Sequence, residues 1–207
     1  MLVFSTAKLV FLSVPKTGTT AYEEALKPHA SMWVGAPPEL KHAPVFRYNR
    51  FYRPVLEKFI ADDLTVLAVM REPVSWLGSW YRYRQRDAVR GHRTSTHDIS
   101  FDAFVDEYLK GQSAPFANVG SQAKFLEPQK NGTAVTHLFR YEDQAGLRAF
   151  LQNRLGVQFE TKQHNASPAR VLELSEKTRN RLLRKMPKEF ELYNGIKPEG
   201  AYTPVLL

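Results

Sequence analysis

Apolar residues along the chain fall into short unbroken blocks and into longer stretches with helical spacing, and the two kinds alternate. Residues 2–4 and 9–14 read as strands, the second as a central one covered on both faces. Residues 20–26 and 53–60 read as helices, and "LTVLAVM" at 64–70 is another continuous apolar block, ending at Arg71-Glu72-Pro73. A helix is expected to begin there, since proline suits a first helical turn. Apolar residues at 101, 104, 105, 108 and 109 predict an amphipathic helix. "AVTHLF" at 134–139 reads as a third buried strand, followed by a helix over about 144–155 that closes at Gly156.

Strands separated by helices imply an α/β fold with a central, mainly parallel sheet flanked by helices and joined by right-handed crossovers. Ligands on such sheets bind beyond the carboxyl ends of the strands. That rule selects the residues after Val14, Met70 and Phe139, and the first two positions carry polar clusters.

The first cluster lies in "LVFLSVPKTGTTAYEEAL". Gly18 permits close backbone approach, the N–H groups that open a helix at Thr19 and Thr20 favour a phosphate or sulfate, and Lys16, Thr17, Thr19 and Thr20 add a charge and hydroxyls. The order is not that of the nucleoside-triphosphate loop, whose lysine follows the second glycine. Here Lys16 precedes Gly18, and no clear metal-binding carboxylate follows a later strand, so no triphosphate with magnesium is inferred and no metal is expected. The second cluster is "MREPVSWLGSWYRYRQR", in which Arg71 leaves a strand and Ser79 lies eight residues on, about two turns into the next helix. An arginine fork and a serine in those places suit a phosphate.

Composition narrows the choices. At 207 residues the chain fits one domain, and a chain of this size buries roughly 70% of its unfolded surface. Cysteine is absent, which excludes disulfides, thiolate nucleophiles and cysteine-ligated zinc. The apolar block 9–14 is too short for a signal-peptide core or a membrane span, and the protein reads as cytoplasmic. Lys and Arg number 29 against 21 Asp and Glu, a net charge of +8 that suggests an anionic ligand.

Taken together the two clusters resemble the sulfotransferase superfamily that uses 3′-phosphoadenosine 5′-phosphosulfate. "VPKTGTT" is similar to that family's 5′-phosphosulfate loop and "REPVSWLGSWYRYR" to its 3′-phosphate element, with Glu72 where aspartate is common. "RYEDQAGLRAFLQNRLGV", "HNAS" and "EFELYN" extend the resemblance across nearly the whole chain, and "KHAP" between the motifs is closest in style to bacterial and Golgi-type carbohydrate sulfotransferases. The resemblance implies a single sulfotransferase-like domain over 1–207 with a P-loop-like three-layer fold. It also implies metal-independent transfer of a sulfuryl group to an acceptor hydroxyl, such as that of a glycan. By the same resemblance Lys16 stabilises the leaving group, Thr17, Gly18, Thr19 and Thr20 hold the 5′-phosphate, and Arg71 and Ser79 hold the 3′-phosphate.

An acceptor-side base should be a histidine or a carboxylate, and His42, in "ELKHAPVFRY", is the candidate, since related carbohydrate enzymes carry a histidine between these motifs. His137 reads as a core histidine, His92 and His97 fall in the polar connection 87–100, and His29 and His164 have no supporting motif. The connection 87–100 is itself a candidate lid or substrate loop. Arg82, Arg86, Arg90 and Arg93 would form one basic stripe if the second helix ran that far, and Gln122 is a further pocket candidate. Two other classes share parts of the pattern. A nucleotide-dependent kinase or phosphotransferase shares the architecture, and a nucleic-acid-binding module shares the basic-aromatic run "WYRYRQR". Neither accounts for both clusters with their spacing, and no nucleic-acid partner is expected.

Overall fold

The computed structural model describes residues 1–162 and 172–203. From the start of the chain, β1 (Leu2–Phe4) turns back through Ser5 and Lys8 into β2 (Leu9–Phe11). There follow α1 (Thr19–Leu26), β3 (Met32–Trp33), α2 (Pro38–Lys41) and α3 (Val45–Arg47), then a π-helical turn (Tyr48–Tyr52) that runs into α4 (Arg53–Phe59). After β4 (Thr65–Met70) come α5 (Pro73–Tyr83), α6 (Phe101–Tyr108) and α7 (Gln122–Phe125). The described chain continues through β5 (His137–Arg140), α8 (Gln144–Leu155), α9 (Glu176–Lys185) and α10 (Pro187–Asn194). "EFELYN" therefore lies within α10, and "HNAS", with His164, lies outside the described residues.

The expected helices form close to the expected bounds, and their ends have visible causes. Asp143 accepts from the Gly146 N–H at the start of α8, and Gly156 closes that helix at φ +65°. Glu72, an unusual cap residue, accepts from Ser75 N–H at 2.7 Å to begin α5, with Pro73 in the first turn.

The chain divides into two compact units. One comprises Met1–Arg71 with stretches that begin at Gln122 and at Gly195; the other is Glu72–Ser121 with a stretch that ends at Asn194. The first holds a five-stranded mixed sheet in the order β3-β1-β2-β4-β5, flanked by helices. β2 pairs parallel with β4 (Val10 opposite Val66) and β4 with β5 (Val69 opposite Phe139), whereas β1 is antiparallel to both β2 and β3. The expected parallel arrangement thus holds for β2, β4 and β5 only. Between β1 and β2 there is no helix, just a tight turn with Lys8 at φ +47°, and a connection that short can only reverse the chain. The ladder along β2 ends three residues before Val14: Leu12 still donates to Leu67 O at 2.8 Å, after which Pro15, which has no N–H, leaves the sheet. Leu9, Phe11, Tyr22, Leu67, Phe139 and Leu151 are among the side chains of this unit's core.

The second unit is built around aromatic packing of α5 on α6, where Tyr81 meets Phe101 and Phe104 with ring centroids 5.4 and 5.7 Å apart. α5 stops at Tyr83, so Arg86, Arg90 and Arg93 lie beyond it and the basic stripe expected from the spacing does not form. The reason is Thr96, which is fully buried; its hydroxyl donates to Tyr81 O and its N–H to Arg84 O, occupying carbonyls that end the helix. Tyr81 Oη in turn donates to Ile99 O at 2.6 Å, so the 87–100 connection is fastened at two points.

Candidate functional site

Three parallel strands end on the same side of the sheet, and the residue groups after each one meet. After β2, the backbone takes left-handed conformations at Lys16 (φ +67°) and at Gly18 (φ +72°). Between them Thr17, 1% exposed, donates its hydroxyl to Val14 O at 2.9 Å and braces the turn from inside. Thr19 is buried and Thr20 exposed at the start of α1. Gly18 is the N-cap of α1 and supplies no side chain, so the opening N–H groups of that helix have no side-chain acceptor at the cap.

After β4, Arg71 is gripped through its own backbone. Its N–H donates to Gln122 Oε1 and its carbonyl accepts from Gln122 Nε2, both at 2.9 Å. The amide of Gln122 thus substitutes for the next residue of a neighbouring strand. Gln122, the further pocket candidate, is 1% exposed, with both ends of its amide on the Arg71 backbone.

After β5, Tyr141 donates its N–H to Met70 O at 2.7 Å, continuing the ladder by one bond. Its ring lies 4.3 Å from the Arg71 guanidinium carbon. The same ring approaches Gly18 so closely that a Cβ built there would fall 2.9 Å from Tyr141 Cε2. Tyr141 is therefore the piece that joins the glycine loop to Arg71, and no polar run in the sequence points to it. The available signal was its place at the third strand end, which the strand-end rule pointed to without a conspicuous polar run to mark it.

His42 caps the end of α2, with Nδ1 2.7 Å from Ser13 O. A carbonyl only accepts, so Nδ1 carries the hydrogen and Nε2 is the basic nitrogen. Burial lowers the His42 pKa below its ordinary 6.5, with the Lys41 charge adding to that effect, and the bond to Ser13 opposes it without reversing it. The neutral imidazole is favoured as a result. Its neighbour Lys41 places Nζ 2.8 Å from Glu23 Oε2 and 3.5 Å from Thr20 Oγ1. Glu23, on the inner face of α1, also accepts from Ser13 Oγ at 2.6 Å and from the Met1 amino group at 3.2 Å. Burial pushes the Glu23 carboxyl up, but the bonds from Lys41 and Ser13 and the Met1 charge outweigh it, and its pKa is lowered. Through Ser13 and Thr20, these contacts stitch the His42 segment to both ends of the glycine loop. Glu23 and Lys41 were likewise missed, because a glutamate and a lysine on short helices look solvated until the tertiary partners are seen.

Ser79 lies on α5 in the second unit, half-buried, three residues after Trp76 on the helix that Glu72 caps. His137 starts β5 rather than sitting inside a strand; it is partly exposed, with its ring 4.9 Å from that of Phe150. Within the first unit, then, the fold joins Gly18 and Arg71 through Tyr141 and ties His42 to the strand end that precedes Lys16. Comparison of the chain with family models, with curated proteins and with solved structures finds no match.

Proposed function

We propose that the protein is a sulfotransferase that moves a sulfuryl group from 3′-phosphoadenosine 5′-phosphosulfate to an acceptor hydroxyl, with a carbohydrate as the acceptor class. One observation carries the reading: the glycine loop after β2 and Arg71 after β4 meet the same Tyr141 ring, so these two anion-binding groups lie at one strand-end site. The donor's two phosphates are the groups such a site suits. A capless helix start with a glycine cradle fits the 5′-phosphate, and Arg71 is a planar fork for the 3′-phosphate. Since the Thr17 hydroxyl is engaged with Val14, the contribution of that residue to the donor is its backbone N–H.

In the transfer the acceptor oxygen forms a bond to sulfur as the bond from sulfur to the bridging oxygen breaks. His42 Nε2 takes the acceptor proton, and Lys16 offsets the charge that develops on the departing phosphate. Neutral His42 with a hydrogen fixed on Nδ1 is in the form a base requires.

The test is ligand-induced stabilisation followed by single-turnover transfer. Adenosine 3′,5′-bisphosphate should raise the melting temperature, as any native-state ligand does, and adenosine 5′-monophosphate should do so far less. Lys16→Ala should lose turnover and part of the nucleotide affinity. His42→Ala should lose turnover by about 100-fold or more with affinity kept, and the wild-type rate should fall as pH drops below 6.5, where the imidazole acquires its proton. Stabilisation by ATP with magnesium, and none by the bisphosphate, would sink the proposal in favour of a phosphotransferase.

A further inference from the structure

The segment from Val45 to Phe59 is helical throughout, but its middle turn is π-helical. The wide turn ends two residues before Pro54, which cannot donate to the turn before it and whose ring crowds that turn's carbonyls. One face of the segment is buried through Val45, Tyr48 and Leu56. The other leaves Phe46, Phe51, Val55 and Phe59 between 47% and 74% exposed. Their spacing is five residues across the π turn and then four and four into α4, and a π turn, closed by hydrogen bonds five residues apart, is wider than an α turn. The wider π turn brings Phe46 nearer the face of Phe51 than an uninterrupted α-helix, in which five residues turn through about 500°, would.

Each ring of the stripe has a cation beside it. Arg47 lies 5.5 Å from the Phe46 centroid, Arg50 5.4 Å from Phe51 and Lys58 5.4 Å from Phe59. The one carboxylate in the segment, Glu57, is paired with Arg53, so the stripe presents uncompensated positive charge. No helix among the described residues is long and apolar enough to cross a membrane, but one that lies along a surface needs only an apolar stripe with basic residues at its margins.

We propose that the Phe46, Phe51, Val55, Phe59 stripe is a docking surface for an anionic phospholipid membrane. Charge complementarity selects that occupant. A second copy of the chain would set Arg47, Arg50 and Lys58 against themselves, with no spare carboxylate in the segment to receive them. Single-stranded nucleic acid stacks its bases on successive aromatic faces, and Val55, in the middle of the stripe, offers none. In a membrane interface the basic side chains reach outward to phosphate while the rings enter the acyl boundary.

The experiment is co-sedimentation of the full chain with phosphatidylcholine vesicles, with and without about a third phosphatidylserine. Wild type should pellet with the mixed vesicles, weakly with pure phosphatidylcholine, and less as salt rises. Phe51→Ser with Phe59→Ser should weaken binding by about tenfold or more for each ring removed, and Arg50→Glu with Lys58→Glu should weaken it without touching the apolar side chains. Melting temperatures near that of wild type would show both variants folded, and the lipid comparison on wild type does not depend on them. Equal pelleting with the two vesicle types, or pelleting unchanged in both variants, would overturn the proposal. So would a dimer in solution that the double serine variant dissociates, or oligothymidine binding that the same variant abolishes while vesicles bind neither protein.

Discussion

After β2 the chain turns at two left-handed residues, Lys16 and Gly18, and is braced by Thr17 on Val14, three residues away. After β4 the arginine at the strand end is held from a distance. Arg71 is held by Gln122, 51 residues further along, and its guanidinium rests on Tyr141 from yet another strand end. The same task, fixing polar groups beyond the carboxyl end of a strand, is met once by strained local backbone and once by distant side chains. The two solutions fail in different ways, which gives the means to separate them.

The largest effect is expected at Gly18. A β-branched residue at φ +72° is strained wherever it sits, and here its Cβ also meets the Tyr141 ring. Gly18→Val should cost about 3 kcal/mol in urea unfolding and abolish binding of adenosine 3′,5′-bisphosphate. Combining it with Tyr141→Ala should return part of the stability, because the clash goes and the backbone strain stays. Full recovery in the double variant would mean that the strand end is shaped by the ring and not by the backbone.

At the other strand end the loss should be smaller and confined to Arg71. Gln122→Leu removes the two bonds that Gln122 makes to the Arg71 backbone, at a cost of about 2 kcal/mol. Affinity for adenosine 3′,5′-bisphosphate should fall toward that for adenosine 5′-monophosphate, while the monophosphate itself binds as before, since the loop after β2 keeps its own brace. Calorimetric titration of both nucleotides reads this directly; an equal loss for the two would show that the strand ends are not independent.

The contrast also explains what the sequence made legible. The glycine loop could be found from residue types because everything that shapes it lies within a few positions: a proline that leaves the sheet, a glycine that tolerates positive φ, a threonine that reaches back to Val14. The helix bounds at Glu72, Asp143 and Gly156 were readable for the same reason. Gln122 reads in the sequence only as a pocket candidate, because a glutamine becomes a backbone clamp only when a sheet brings Arg71 beside it. Tyr141, Glu23 and Lys41 are of this second kind. The four arginines from 82 to 93 show the converse: their spacing is helical, but Thr96 returns from fifteen residues beyond Tyr81 to end the helix, and no count along the sequence reveals that.

The smallest effect, and the finest division between the two modes of support, is expected at Thr17. Valine has nearly the shape of threonine, so Thr17→Val keeps the packing of a residue that is 1% exposed and removes one hydrogen bond, leaving Val14 O without its partner. About 1 kcal/mol should be lost. If the turn is held mainly by its own φ angles, the variant still binds adenosine 5′-monophosphate nearly as well as wild type, because the N–H groups of the loop stay where the backbone of Lys16 and Gly18 puts them. If the hydroxyl brace is what holds those angles, affinity falls with stability and Gly18 relaxes away from Tyr141. Fluorescence of Tyr141, with Tyr141→Phe as the reference for the other tyrosines, reports that movement independently of nucleotide binding. A Thr17→Val protein with wild-type stability and a displaced Tyr141 would reverse the order of importance assigned here to backbone and side chain.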